Sequence, residues 1–428
     1  MLIDRRRFTG LFAGLVGGTA LPRDLVAAPT RTADPCNLPP AIQALTPMTS
    51  GVVPISLDER RERMAKARRL MIQHGLGAVL LEGGSSMHYF TGMNWGLSER
   101  PFIAVLPAHG EVAFVCPGFE EARARELLRF PADVRVWQED ESPYRVIAQL
   151  LRDRGVRAGR VGVEERLRFF VMDGVRKVAP TLQFTSADPV TAGCRMYKSA
   201  AEIALLQRAN DITLAAHKAT LASLREGMTQ HDLTGLMESA LVRLGGSDAG
   251  ALAGFGVASA FPHGSVQPQH LREGDIVLLD AGCSIEGYVA DITRTTVFGK
   301  PTSRQTEIWN LERKAQDAAF AAAQPGATCG SVDAAARKVL TDAGFGPGYK
   351  VPGLPHRTGH GIGLDGHEWT NFVKGNPAIL APGMCFSDEP TIVMYGEFGV
   401  RLEDCLYITE AGPRFFTPQS PAIDRPFV

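Results

Sequence analysis

The sequence predicts two domains in series, an α/β layer domain followed by an α+β domain, and two observations carry that reading. From about residue 56 to about 190, short apolar runs alternate with helical segments, the pattern of a sheet covered by helices. Beyond 190, helices with well-marked N-termini are followed by strand-like runs into which carboxylates intrude. Residues 29–55, rich in Pro, Thr and Ala, are expected to form a linker ahead of both, so that the domains span 56–190 and 191–428.

In the first domain, "DERRERMAKARRLMIQHG" predicts a helix ending at Gly75. "GAVLLEG", "FIAVLP" and "EVAFVCP" predict strands, "YRVIAQLLRDRG" a helix, and "RVGVEE" the strand after it. The second domain opens with Ser199 and Glu202 as a capping box. Leu205, Ala209, Ile212, Ala216 and Ala219 then recur at helical spacing as one buried stripe. Thr229 with Asp232 starts another helix, stopped at Gly245–Gly246. Helices also fit 304–323 and 331–343, and strands rich in Val, Ile, Leu and Phe fit 275–298 and 384–409.

Composition narrows the function. The chain has 428 residues, 45% hydrophobic and 21% charged, enough for two sizeable cores. Its net charge of −1 offers no polybasic face for nucleic acid or membrane. "DRRRFTG" (4–10) carries Arg5, Arg6 and Phe8 in the spacing of a twin-arginine export signal. A short apolar run to Leu21 and the small residues Val26 and Ala28 follow, so residues 1–28 read as a signal peptide. Losing Arg5, Arg6, Arg7 and Arg23 together with Asp4 and Asp24 would take the charge from −1 to −3. The expected location is periplasmic or secreted, with no membrane attachment after export. Seven cysteines, at 36, 116, 194, 283, 329, 385 and 405, contain no C-x-x-C pair and are odd in number, so most are expected to be buried free thiols.

The chemistry lies in the second domain. "GDIVLLDAGCSIEGYVADITRTTVFG" (274–299) predicts a hairpin turning at Glu286–Gly287, with Asp280 and Asp291 face to face on its two arms. A carboxylate inside an apolar strand is costly unless it is paired or bound to metal. "MCFSDEPTIVM" puts Glu389 after an apolar start, and "GVRLEDCLYIT" puts Glu403 inside a further strand. "HRTGHGIGLDGHE" (356–368) adds His356, His360 and His367 among Gly359, Gly361, Gly363 and Gly366. Four clustered carboxylates carry a charge that two divalent cations would cancel, and one neutral imidazole would complete a ligand set suited to Mn²⁺, Co²⁺, Fe²⁺ or Zn²⁺. Two such metals can activate a water and polarise a carbonyl.

These motifs, D-x10-D (Asp280, Asp291), "HRTGHGIG" with "HE", "EP" (Glu389) and "GVRLED" (Glu403), resemble those of the pita-bread metallopeptidases over roughly 190–415. That group includes aminopeptidase P, prolidase, methionine aminopeptidase and the creatinases. The preceding domain, with "HYFTGMNWGLSERPFIAVLP", is similar to the creatinase/prolidase N-terminal domain, which methionine aminopeptidases lack. The resemblance implies an α/β N-terminal domain on a pita-bread catalytic domain holding two divalent ions per chain, Mn²⁺ first among them. Asp280 would hold one metal, Asp291 and Glu403 would bridge both, and His360 and Glu389 would complete the second. His263, in "FPHG", His356 and His367 would face the substrate and handle protons. Arg401 would pair with a site carboxylate beside the substrate, and Trp95, on a Gly/Asn-rich loop, would reach a neighbouring subunit's site. Thr391 after "EP" and Gly366 before "HE" depart from the family pattern.

The activity implied is hydrolysis of the bond before proline by a metal-bridging hydroxide, as an Xaa-Pro aminopeptidase or dipeptidase. The alternatives are a creatinase-like hydrolase of a small non-peptide amide, and a non-enzymatic binding module, which lost ligands would mark. A homodimer or higher homo-oligomer is implied by the resemblance only.

Overall fold

The computed structural model describes residues 38–428. The export signal read over 1–28 and Cys36 lie outside the described residues.

Helix formation in the first domain follows local chemistry. Ser56 accepts from the Glu59 N–H at 3.1 Å to start the helix Leu57–His74, and Gly75, at φ 65°, ends it in the left-handed region. The strand Leu76–Glu82 follows and becomes central to a six-stranded sheet. Across the sheet the order is Asp133–Trp137, Ala113–Pro117, Ile103–Pro107, Leu76–Glu82, Gly159–Val163 and Leu182–Ser186. Side-chain alternation then builds two cores. Val79, Leu81, Ala104 and Leu106 point to the helices Leu57–His74, Ser85–Thr91 and Asp188–Arg195. Ala78, Leu80, Ile103 and Val105 point to the helices Pro143–Asp153 and Phe169–Val178.

The second domain is two packed halves. The capping boxes at Ser199/Glu202 and Thr229/Asp232 form as the sequence predicts, opening the helices Ala200–Leu221 and Gln230–Arg243. These cover a sheet of Ser247–Phe255, Ile276–Ile285 and Ile292–Val297. The second half repeats the plan with the helices Ser303–Ala322 and Cys329–Asp342. They lie against a five-stranded sheet ordered Glu368–Phe372, Gly359–Gly361, Cys385–Asp388, Asp404–Thr409 and Gly412–Phe415. A separate hairpin pairs Thr391–Met394 with Phe398–Arg401. The backbone bridge Thr293 to Glu403 and the bond from the Val289 N–H to the Gly363 carbonyl at 2.8 Å stitch the two halves together.

Two boundaries differ from those read in the sequence. Residues 38–55 are not a free linker: Leu38, Ile42 and Ile55 are buried in the core formed by the helices Ala200–Leu221 and Gln230–Arg243. The Met48 N–H also donates to the Leu244 carbonyl at 2.8 Å. Proline-rich composition hid three apolar anchors. The first domain also runs past 190, because Val190 and Cys194 pack in its core. Among the described residues, the six cysteines are free and buried, and no helix is long and apolar enough to cross a membrane.

Candidate active site

The hairpin Ile276–Val297 turns at Glu286 (φ 51°) and Gly287 (φ 84°), the left-handed pair that a tight two-residue turn requires. Its register sets Asp280 opposite Thr293, so the two aspartates are diagonal neighbours on one face, not directly opposite. Space for Asp291 comes from Gly282 on the facing arm, where a Cβ would stand 1.9 Å from the Ala290 carbonyl oxygen. Asp280, Asp291 and Glu403 each bring an oxygen within 4.8 Å of the others. His360, Glu389 and Glu403 do the same, as do Asp291, His360 and His367. Asp291, His360 and Glu403 belong to two groups each, so the three groups join into one continuous cluster.

Glu403 is fixed from behind. Its N–H donates to the Thr293 carbonyl at 3.2 Å, and the Thr293 hydroxyl donates to its Oε2 at 2.7 Å. Oε1 is buried without a hydrogen-bond partner. Arg401 spreads its guanidinium over three acceptors: Nε on Thr293 Oγ1 at 3.0 Å, Nη1 on the Pro262 carbonyl at 3.0 Å, and Nη2 on Asp280. That confirms its pairing with a site carboxylate, and at 3% exposure it leaves no face for substrate. Arg401 therefore belongs with the support of Asp280. The sequence reading also missed Thr293, although strand period 2 puts it on the same face as Asp291.

His360 sits between Gly359 and Gly361. The glycines serve the neighbouring strands: Cβ atoms there would stand 2.1 Å from the Ser387 carbonyl and 2.5 Å from the Trp369 carbonyl. His360 Nδ1 lies 3.1 Å from the Gly361 carbonyl, which holds its proton on that nitrogen. Nε2 then turns a lone pair toward Glu389 Oε1 at 3.3 Å and Asp291 Oδ2 at 3.7 Å. Acceptors facing acceptors need a proton or a metal ion between them. Burial, with His367 adding to it, holds the His360 pKa down to about 3. Burial and mutual repulsion raise the carboxylates instead: Glu389 to about 7, and Asp291 and Glu403 well above the usual range. Arg401 is a cation buried among them. The orphaned Glu403 oxygen, the unprotonated His360 nitrogen and the oxygen-rich donors all fit divalent cations.

The remaining histidines divide. His263 and His367 are exposed, and His263 lies close enough to help hold the pKa of both His356 and His367 down, after burial. The His367 ring stands 4.1 Å from that of His360. His356 has both nitrogens engaged, Nδ1 with the Arg357 carbonyl at 2.7 Å and Nε2 with Thr391 Oγ1 at 3.1 Å. Thr391, the departure after "EP", thus supplies a hydroxyl that glycine could not. Trp95 is not brought to this site. Its ring stacks on Phe102 at 4.1 Å beneath Arg123, and at 8% exposure it is part of its own domain's core.

Comparison with known proteins gives the family. Residues 204–410 match the profile described as metallopeptidase family M24, and residues 63–197 match the creatinase/prolidase N-terminal domain. An Xaa-Pro dipeptidase of Lactobacillus delbrueckii subsp. lactis is 31% identical over 362 residues, spanning 83% of this chain and 96% of its own. The crystal structure of dipeptidase PepE from Mycobacterium ulcerans superposes with a TM-score of 0.80 at 32% identity, covering 88% of this chain and 100% of that one. A prolidase from Thermococcus sibiricus follows with a TM-score of 0.78 at 28% identity, covering 85% and 98%.

Proposed function

This chain belongs to metallopeptidase family M24, and from that premise we propose that it hydrolyses the peptide bond preceding proline, as an Xaa-Pro dipeptidase before an aminopeptidase, with two divalent cations, Mn²⁺ foremost. The observation that carries the proposal is that the three ligand groups share Asp291, His360 and Glu403 and so form one cluster, which Asp280 and Glu389 complete. The names of the similar proteins support proline specificity and a short substrate.

Asp280, Asp291, His360, Glu389 and Glu403 would hold the cations, which when bound supply an acidified water and a polarised carbonyl. The chain's own residues do the rest. Arg401 and Thr293 keep Asp280 and Glu403 aimed at the centre. The nitrogen of an Xaa-Pro bond has no hydrogen and must be protonated as it leaves. His263 and His367, exposed at the mouth, are the groups set to give that proton and to hydrogen-bond the oxygen on which charge develops. His356 steadies the wall between them through Thr391. Export through the twin-arginine pathway and homo-oligomeric assembly are part of the same proposal, resting on "DRRRFTG" and on the resemblance.

The test is an assay of residues 29–428 loaded with Mn²⁺ against Gly-Pro, a longer Xaa-Pro peptide and matched Ala controls, with Glu403→Ala alongside. Cleavage confined to the proline substrates and lost in the variant is expected. Two bound metals with no peptide cleaved would transfer the assignment to a small-amide hydrolase.

A further inference from the structure

We propose that the buried network of Arg195, Lys198, Asp365 and Glu368 is a positioning device by which the N-terminal domain holds His367 in the active site. Only the kinetic half of its test rests on the peptidase reading.

The turn Gly363–Glu368 follows the strand that carries His360 and leads into the strand Glu368–Phe372. It is shaped from within. Glu368 Oε1 accepts from the N–H groups of Leu364 at 2.9 Å and Asp365 at 3.3 Å. A Cβ on Gly363 would stand 2.6 Å from Glu368 Oε2, so the chain wraps closely about this carboxylate. His367 is its neighbour in sequence, on the side facing His360.

A buried carboxylate needs compensating charge, and here it comes from the domain junction. Lys198 Nζ donates to Glu368 Oε2 at 2.9 Å. Arg195 pairs with Glu368 and reaches Asp365 Oδ2 at 2.6 Å. Arg166, more exposed, adds a third cation 3.1 Å from Asp365 Oδ1. Arg195 ends the helix Asp188–Arg195 of the first domain and is braced there by Ser86 Oγ at 3.0 Å. Ser85, also of the first domain, donates to Asp365 Oδ1 at 2.6 Å. The turn is therefore gripped from across the interface, and none of the gripping residues touches the carboxylates of the metal site. Without Arg195, Glu368 keeps only Lys198 and Asp365 only the exposed Arg166, the turn loses the one group that clamps both carboxylates, and His367 loses its fixed place over His360.

The experiment compares wild type, Arg195→Met, Arg195→Lys and Asp365→Asn, each in the full Mn²⁺-loaded chain. Amide exchange read by mass spectrometry is expected to speed up over 362–369 in Arg195→Met and Asp365→Asn, and to stay unchanged over 276–284, away from Val289, whose N–H donates to the Gly363 carbonyl at 2.8 Å. kcat on Gly-Pro is expected to fall at least about 10-fold with KM within about 3-fold and both metals retained, because a misplaced proton donor costs turnover before binding. Arg195→Lys, which keeps the charge, is expected to restore most of kcat. Unchanged exchange in the turn, or a loosened turn with kcat intact, would overturn the proposal. So would a fall in kcat that tracks loss of metal. Should Arg195→Met fail to fold, Asp365→Asn decides by the same readouts. A wild type that cleaves no Xaa-Pro bond would sink the peptidase reading, and exchange, which needs no substrate, would still judge the network.

Discussion

The hydroxyl of Thr293 donates to Glu403 at 2.7 Å while accepting from Arg401 Nε at 3.0 Å. One uncharged residue thus connects the Glu403 carboxylate to the cation that orients Asp280. Thr293→Val keeps the shape and removes both bonds. It is expected to weaken metal binding about 10- to 100-fold, with activity recovering at high Mn²⁺. Calorimetric titration of the metal-free protein gives the affinity, and an unchanged value would show that Thr293 is a packing residue only.

Glu403→Gln should separate function from stability. In the metal-free protein, burial and the charges of Asp291, Glu389 and Asp280 all act against the Glu403 carboxylate. Neutralising it is expected to raise the stability of the metal-free form by about 0.5–2 kcal/mol. Wild type should gain about 2.7 kcal/mol at a metal concentration 100 times its Kd, and the variant much less. Urea unfolding with chelator and with Mn²⁺ measures both. A variant less stable than wild type without metal would contradict the crowding argument.

Acid should destabilise the fold through a residue outside the site. His217 lies buried on the helix Ala200–Leu221, with Nε2 2.9 Å from the Ile292 carbonyl and Nδ1 unpartnered. Burial, and then the Arg294 charge, hold its pKa down to about 3 from an ordinary 6.5. The unfolded chain binds a proton there below 6.5 and the folded one does not. The stability it contributes is therefore present above 6.5 and lost as the pH falls toward 3. By pH 5 the loss is about 2 kcal/mol. His217→Gln should lose correspondingly less between pH 7 and pH 5, and equal losses in the two proteins would remove His217 as the cause.

Trp95→Ala is expected to cost about 3–5 kcal/mol, the range for emptying a large aromatic site. The ring packs on Phe102 inside its own domain, so kcat and KM should be unchanged wherever the variant is folded. A kinetic defect at full foldedness would restore the idea that this loop serves an active site.

The candidate metal site was legible because its residues break local rules. Asp280, Asp291 and Glu403 are carboxylates in apolar strands, and three histidines crowd a glycine-rich segment, so each stood out against its surroundings. The capping boxes at Ser199 and Thr229 were legible because their side chains act on backbone three residues away. What escaped was tertiary. Thr293 is ordinary in a strand until its register is known. Arg195 and Lys198 read as charges before a helix until Glu368 is folded against them. The strand Ser247–Phe255, mostly Gly, Ala and Ser, has no β-branched residue to announce it. Residues 38–55 looked like a tether because proline and threonine outnumber their three buried anchors.

Those anchors have a consequence for how the protein is made. Leu38, Ile42 and Ile55 leave the ribosome before the first domain does, yet the helices that receive them are synthesised after it. The first domain, whose strands and helices are local in sequence, can close while they wait. The catalytic core cannot finish until this early segment finds its late partner, a pairing of large sequence separation that slows folding. Shortening the chain to its catalytic half would therefore leave a greasy furrow open along the helices Ala200–Leu221 and Gln230–Arg243, and such a fragment should aggregate unless residues 38–55 are supplied as a separate peptide.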